Sequence, residues 1–194
     1  MRILTLLPVL LGLGLPLGGS PLHAEPVPYT LQAARSVVGF ETDFTGGILI
    51  TGRMPVAEAD LRIDFDAVAA SRFDVTVNAA KASTSNPLAT EAMTGAKVLA
   101  VRDFPTIHFA STRVRAKGAG AEVTGDMTIR GVTKPVTMTA RIYRQKGTVE
   151  GDRTNLSVLL TGAISRSAFG AAGFPEMVGD EVRLKILARI TKGI

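Results

Sequence analysis

The run from 123 to 143 constrains this chain more than any other stretch. Val123, Gly125, Met127 and Ile129 share one parity, while Thr124, Asp126, Thr128 and Arg130 share the other. Beyond Gly131, Val136, Met138, Ala140 and Ile142 alternate with Thr137, Thr139, Arg141 and Tyr143. Successive side chains on a strand point to opposite faces, so each arm has one dry face and one wet face. Gly131 and Pro135 bracket the expected connection. Glycine accepts a positive φ there, and proline suits the start of a strand near an edge. The reading is a β-hairpin that forms one wall of a larger antiparallel sheet.

The same period returns along the chain. Leu61, Ile63 and Phe65 alternate with Arg62, Asp64 and Asp66, and Phe73, Val75 and Val77 with Asp74, Thr76 and Asn78. Gly46-Gly47 reads as a hairpin turn ahead of Ile48, Lys146-Gly147 and Gly151-Asp152 mark further turns, and 156–165 is another strand. Leu184, Ile186, Ala188 and Ile190 close the chain on one parity, in a strand long enough to pair back to the first strand region at 29–40. These make eight or nine antiparallel segments. Such a series closes on itself or stacks as two sheets, because bare edges pair with other chains.

The alternation breaks once. Asn86-Pro87 reads as a helix N-cap followed by proline at the first helical position. Leu88, Ala89, Ala92, Met93, Ala96, Leu99 and Ala100 then recur at helical steps. Gly95 weakens the middle by about 1 kcal/mol relative to alanine. The spacing predicts one helix over about 87–101, lying across one mouth of the sheet structure.

Several function classes drop out. The chain has no cysteine and only His23 and His108, so zinc–thiolate sites and cysteine nucleophiles are excluded. Met1-Arg2, an apolar run from Ile3 to Leu17 and small residues up to Ala24 have the layout of a secretory signal peptide, with cleavage near Ala24. The expected organisation is therefore a leader, 1–24, and one domain, 25–194. The apolar run is shorter than the ~20 residues of a membrane span. The formal charge of +5 does not indicate nucleic acid, because Lys and Arg are scattered singly along polar strand faces.

Catalytic constellations are sparse. His108 lies between Ile107 and Phe109 and so faces outward, and the sequence nominates no partner for it. Asp64 and Asp66 share a face with the spacing of the wet side of a strand; calcium binding or acid–base work is the rival reading. Asp126 and Arg130 share the polar face of the hairpin and suit an exposed ion pair. No Gly-rich phosphate loop or nucleophile elbow is present.

Four segments, in order, carry a family resemblance. The first keeps Tyr29, Leu31, Ser36, Val37 and Phe40, with Gln32 and Arg35 in place of an Asp and a His. The second is Phe104-Pro105-Thr106-Ile107-His108-Phe109-Ala110-Ser111. The third is Gly125-Asp126-Met127-Thr128-Ile129-Arg130-Gly131-Val132-Thr133-Lys134-Pro135-Val136. The fourth is Arg166-Ser167-Ala168-Phe169-Gly170, with Ala168 where an Asp is usual. Together they resemble the YceI-like family, over residue 29 to the end. The resemblance implies an all-β, lipocalin-like antiparallel barrel, exported to the periplasm, that holds a polyisoprenoid chain. It implies no catalysis and no cofactor beyond the bound lipid, whether polyprenol, polyprenyl phosphate or quinone.

On that reading the cavity is lined by Phe40, Phe65, Val75, Ile107, Phe109, Met127, Ile129, Met138, Phe169 and Leu184. Met93, Leu99 and Phe104 form its lid, or else pack helix to sheet. Arg166 is the headgroup candidate, against pinning a turn, which is the preferred role. Two rivals stand beside a lipid carrier: a filled barrel that docks on a membrane redox partner, and an enzyme acting on a lipid headgroup at the barrel mouth. Transient contact with a membrane surface and a homodimer are the remaining partner expectations.

Overall fold

The computed structural model describes residues 25–144 and 147–193. The expected leader, 1–24, and Lys146 of the expected 146–147 turn lie outside the described residues. The alternating segments fold as β1 (Val27–Leu31), β2 (Val37–Phe44), β3 (Ile48–Met54), β4 (Val56–Ile63), β5 (Arg72–Asn78) and β6 (Ser83–Thr84), then helix α1 (Pro87–Thr94). After it come β7 (Thr106–Lys117), β8 (Gly120–Ile129), β9 (Val132–Arg144), β10 (Asn155–Ser165) and β11 (Val178–Lys192). Three pairs are long strands with a single interruption. A 3-10 turn, Ala33–Arg35, divides β1 from β2; Pro55 alone divides β3 from β4; a 3-10 turn, Ala79–Lys81, divides β5 from β6.

Eight long antiparallel strands therefore meander around a closed barrel. Closure comes from β1, which pairs with β4 on one side (Tyr29 opposite Leu61) and β11 on the other (Leu31 opposite Ile190). A closed barrel leaves few bare edges, which is how an all-β chain of this length avoids edge-to-edge association. Bulges interrupt the ladders between β4 and β5, β7 and β8, and β11 and β2. At the bulge between Ser111 and Arg113 the inward parity of β7 changes, so Phe109 and Val114 are both buried.

The central hairpin is tighter than its sequence suggests. Its connection is only Arg130-Gly131, with φ of 52° and 74°, between the paired residues Ile129 and Val132. Two positive φ values in a two-residue loop match the right-handed twist of the arms. Pro135 does not bracket the turn but sits within β9 opposite Asp126. It is tolerated because β9 meets β10 only over Thr139–Arg144, leaving the proline a free side. Arg130 does not pair with Asp126; its Nη1 donates to Ala96 O (2.9 Å) and Val98 O (2.6 Å).

The helix is shorter than the predicted 87–101. Asn86 Oδ1 accepts from Leu88 N (2.9 Å) and Pro87 opens the helix, as the motif requires. Gly95 ends it by adopting ψ of 170°. Residues 95–104 continue as turns, in which Ala100 takes φ of 49° and Arg130 binds the carbonyls of Ala96 and Val98.

The interior has two parts. A compact cluster of Tyr29, Leu61, Ile63, Leu156 and Ile190 fills one end of the barrel. A larger set, centred on Phe109, Val114, Val123, Met127, Ile129 and Met138, lines the rest.

Candidate ligand cavity

The strands enclose a cavity of about 970 Å³ whose wall is almost wholly aliphatic and aromatic. Its floor is the compact end cluster. There the Tyr29 and Phe65 rings meet edge to face at 6.0 Å, and the Arg153 guanidinium lies 4.8 Å over the Phe65 ring. Tyr29 Oη donates to Arg153 O (2.8 Å), and Arg153 Nη2 pairs with Asp66 Oδ1 at 3.2 Å. Burial pushes the Tyr29 phenol above its ordinary pKa, which keeps it a neutral donor.

The opposite end is a mouth framed by three pieces of chain: the β2–β3 tip, the segment from Ser85 to Phe104, and the loop 166–177. Backbone bonds join them. Thr45 N donates to Met177 O (2.9 Å), Gly173 N to Lys97 O (2.9 Å) and Ser85 N to Thr51 O (3.1 Å).

Two glycines in the wall explain how a barrel with phenylalanines inside stays hollow. Gly52 faces Phe40 across the β2–β3 ladder, and a Cβ on Gly52 would meet Phe40 Cζ at 2.1 Å. A Cβ on Gly125 would meet Phe109 Cζ at 2.5 Å. Each ring lies flat over the bare backbone of a neighbouring strand, in space a side chain would fill. Met138 uses Gly162 similarly, with Cγ 2.9 Å from the position a Cβ would take. The apolar mass is laid against the wall and the axis is left open.

The residues read from sequence as cavity-lining can now be located. Phe40, Phe65, Val75, Ile107 and Phe109 lie on the cavity wall, as do Met127, Ile129, Met138 and Leu184. Phe169 lies there too, buried in the 3-10 turn Ser167–Phe169, and Met93 and Leu99 border the mouth side. Phe104 does not line the cavity. The turn at 95–104 carries it outside, where it is partly exposed beside the bare backbone of Gly131. Sequence reasoning missed Ile48, Leu49, Leu88, Phe174 and Met177, which border the mouth, and the glycines beneath the rings. The signal was present in Gly52 and Gly125, both at inward parity within strands, where a glycine has no turn to make.

Arg166 takes the turn-pinning role. It is only 7% exposed. Its Nε donates to Gly179 O (2.8 Å), Nη2 to Val178 O (2.8 Å), and Nη1 to Gly173 O (2.7 Å) and Ala171 O. The guanidinium thus gathers four carbonyls of the 166–179 loop. Thr42, a polar residue on the inner face, is neutralised likewise: its hydroxyl donates to Glu181 O (2.9 Å) at the β11 bulge. Among the described residues no buried side-chain nitrogen or oxygen lacks a partner.

Of the other chemistry-bearing residues, His108 lies away from the cavity, while Asp64 borders it just beyond the end of β4. His108 Nε2 and Asp74 Oδ1 are 2.9 Å apart on the outer face of β7 and β5, so the histidine has a partner that its own strand did not reveal. Asp64 Oδ1 accepts from the amides of Asp66 (2.8 Å) and Ala67 (2.7 Å), making a turn where β4 ends. No cluster of three metal-ligating side chains occurs among the described residues.

Comparisons with known proteins agree with this architecture. The family model for the YceI-like domain matches residues 29–190. A UPF0312 protein of Enterobacter sp. (strain 638) is 30% identical over 114 residues, covering 59% of this chain and 59% of that protein. Protein YceI of Salmonella arizonae is 28% identical over 127 residues, 66% of each chain. These matches span less than two thirds of the relatives' lengths. Burkholderia cenocepacia BcnA superimposes with a TM-score of 0.72 at 20% identity, over 82% of this chain and 99% of that one. A polyisoprenoid binding domain from Saccharophagus degradans, implicated in plant cell wall breakdown, superimposes with a TM-score of 0.62 at 12% identity, over 86% and 99%. The chain belongs to the YceI-like family.

Proposed function

We propose that this protein is a non-enzymatic carrier of an isoprenoid lipid, exported to the periplasm, where it transports, stores or shields that lipid. The observation that carries the reading is the cavity itself: about 970 Å³, apolar over nearly all of its wall, floored at one end and framed at the other. At interior packing density a five-carbon prenyl unit occupies roughly 100 Å³, so the space suits a chain of several units. Each unit offers ~4 kcal/mol of burial before entropy losses, at ~0.8 kcal/mol per methylene-sized group. A few units then supply tight binding even after the cost of immobilising the chain. The likeness to a domain described as polyisoprenoid binding supports the same ligand class.

The open axis weighs against the filled barrel docking on a redox partner. The outward position of the His108–Asp74 pair weighs against headgroup chemistry at the mouth. The test is organic extraction of the protein purified from its bacterial host, followed by mass spectrometry of the organic phase. The expected result is a stoichiometric isoprenoid. A protein that emerges empty, and stays empty with added polyprenol or quinone, overturns the assignment.

A further inference from the structure

We infer that the mouth of the barrel docks on a lipid bilayer through an apolar collar made of Ile48, Leu49, Leu88, Phe174 and Met177. All five are exposed and all five also border the cavity, so their surface continues the cavity wall outward. They come from the three pieces of chain that frame the mouth and are held by the Thr45–Met177, Gly173–Lys97 and Ser85–Thr51 backbone bonds. Leu88 stands 74% exposed on the first turn of α1, and Ile48 is 59% exposed at the β2–β3 tip. A single exposed leucine is ordinary; five around one opening are not.

Size and charge select the occupant. Side chains with these exposures present roughly 500 Å² of apolar surface, a patch large enough to mark a contact but short of the ~800 Å² per partner of a stable protein interface. A bilayer interface needs no matching surface and accepts a shallow apolar collar. The charged side chains beside the collar are of both signs: Lys97, held 5.7 Å over the Phe174 ring, and Glu91 and Glu176. Attachment is therefore driven by burial of the collar rather than by anionic headgroups. The contact stands on the collar alone and does not require the carrier reading, although an apolar cavity applied directly to a membrane would spare a lipid its passage through water.

The chain has no tryptophan, which provides a clean reporter. Leu88→Trp places one at the mouth. Val149→Trp places one at the opposite end, at a site equally exposed (76%). With phosphatidylcholine vesicles, the Leu88→Trp emission is expected to shift to the blue and the Val149→Trp emission to stay fixed. Co-sedimentation of the wild-type protein should be insensitive to salt, and Leu88→Ser/Phe174→Ser should weaken it by about tenfold. Leu88→Ser alone, at the most exposed collar position, keeps the test open if the double variant does not fold. Absence of vesicle binding by the wild type, an equal blue shift at both reporters, or a collar variant that only converts a dimer to a monomer in ultracentrifugation overturns the inference. Because vesicle binding is read without added ligand, an empty cavity and a failed membrane contact are separate results.

Discussion

Single residues decide whether this barrel is hollow. A phenylalanine at inward parity either crosses the axis or lies along the wall, and the neighbouring strand determines which. Opposite Phe40 the neighbour is Gly52, and the ring occupies the place of the missing side chain. Gly52→Ala puts a methyl 2.1 Å from Phe40 Cζ and drives the ring toward the axis. The expected outcome is a stability loss of about 1–3 kcal/mol in urea denaturation, the usual range for overpacking. Uptake of a fluorescent prenyl probe should fall in parallel, and adding Phe40→Leu should restore it. A Gly52→Ala variant with unchanged uptake would show that the ring does not gate the axis. Much of the cavity wall was legible in sequence because parity names the face a residue occupies, which located Phe40, Phe109, Met127 and Met138. Parity does not give a ring's direction on that face, and this depends on a residue in another strand. Phe104, read as part of a lid or as helix-to-sheet packing, lies outside the cavity: its parity is opposite to that of Ile107 and Phe109, and its ring rests beside Gly131.

Elements set the mouth, and here local sequence was less informative. The Asn86-Pro87 start of α1 was legible because capping is a local interaction. Its end was misplaced because Gly95, read as a weak point in the middle, is the residue that stops the helix, and the turns beyond it are held by Arg130, over thirty residues away. The 166–177 loop has a similar long-range clamp in Arg166. Arg166→Leu strands four carbonyls, of which the buried ones each cost ~1–3 kcal/mol when unpaired. The expected outcome is a loss of about 3 kcal/mol in global stability, with faster hydrogen exchange concentrated at Ala171 and Gly173. Loss spread evenly over the barrel would mean that Arg166 is not a loop clamp. Asp180 completes the base of this loop. Hydrogen bonds from Ser165 and Ser167 hold its carboxyl below the ordinary carboxylate range. A depressed carboxyl contributes its stabilisation above its unfolded pKa and loses it as pH falls through the folded value. Exchange at the loop should therefore be flat in its pH-corrected rate from neutrality down to the usual carboxylate range, and rise only below it. An onset near neutral pH would exclude Asp180 as the group responsible.

At the scale of the whole molecule, closure by β1 against both β4 and β11 fixes the barrel's bore, and bore is what sequence periodicity lacks. Alternation predicts a closed apolar sheet equally well for a plugged sandwich and for an open tube. The distance across the axis follows from strand number and stagger, which are collective properties of the register. An open apolar axis carries a thermodynamic signature, because interiors are otherwise packed to crystal-like density and an unfilled space forgoes contacts. A ligand that enters only the folded state stabilises it by about 2.7 kcal/mol at a hundredfold excess over its Kd. For a domain of this size that corresponds to about 5–10 °C in Tm. Calorimetry of delipidated protein with and without polyprenol should show this increment. Leu184→Phe, which adds a ring to the cavity wall, should shrink the increment while leaving the delipidated Tm equal or higher, since it replaces empty space by contacts. Equal melting of the wild type with and without ligand would mean that no prenyl chain occupies the axis. A Leu184→Phe variant that keeps the full increment would instead place the ligand elsewhere on the molecule.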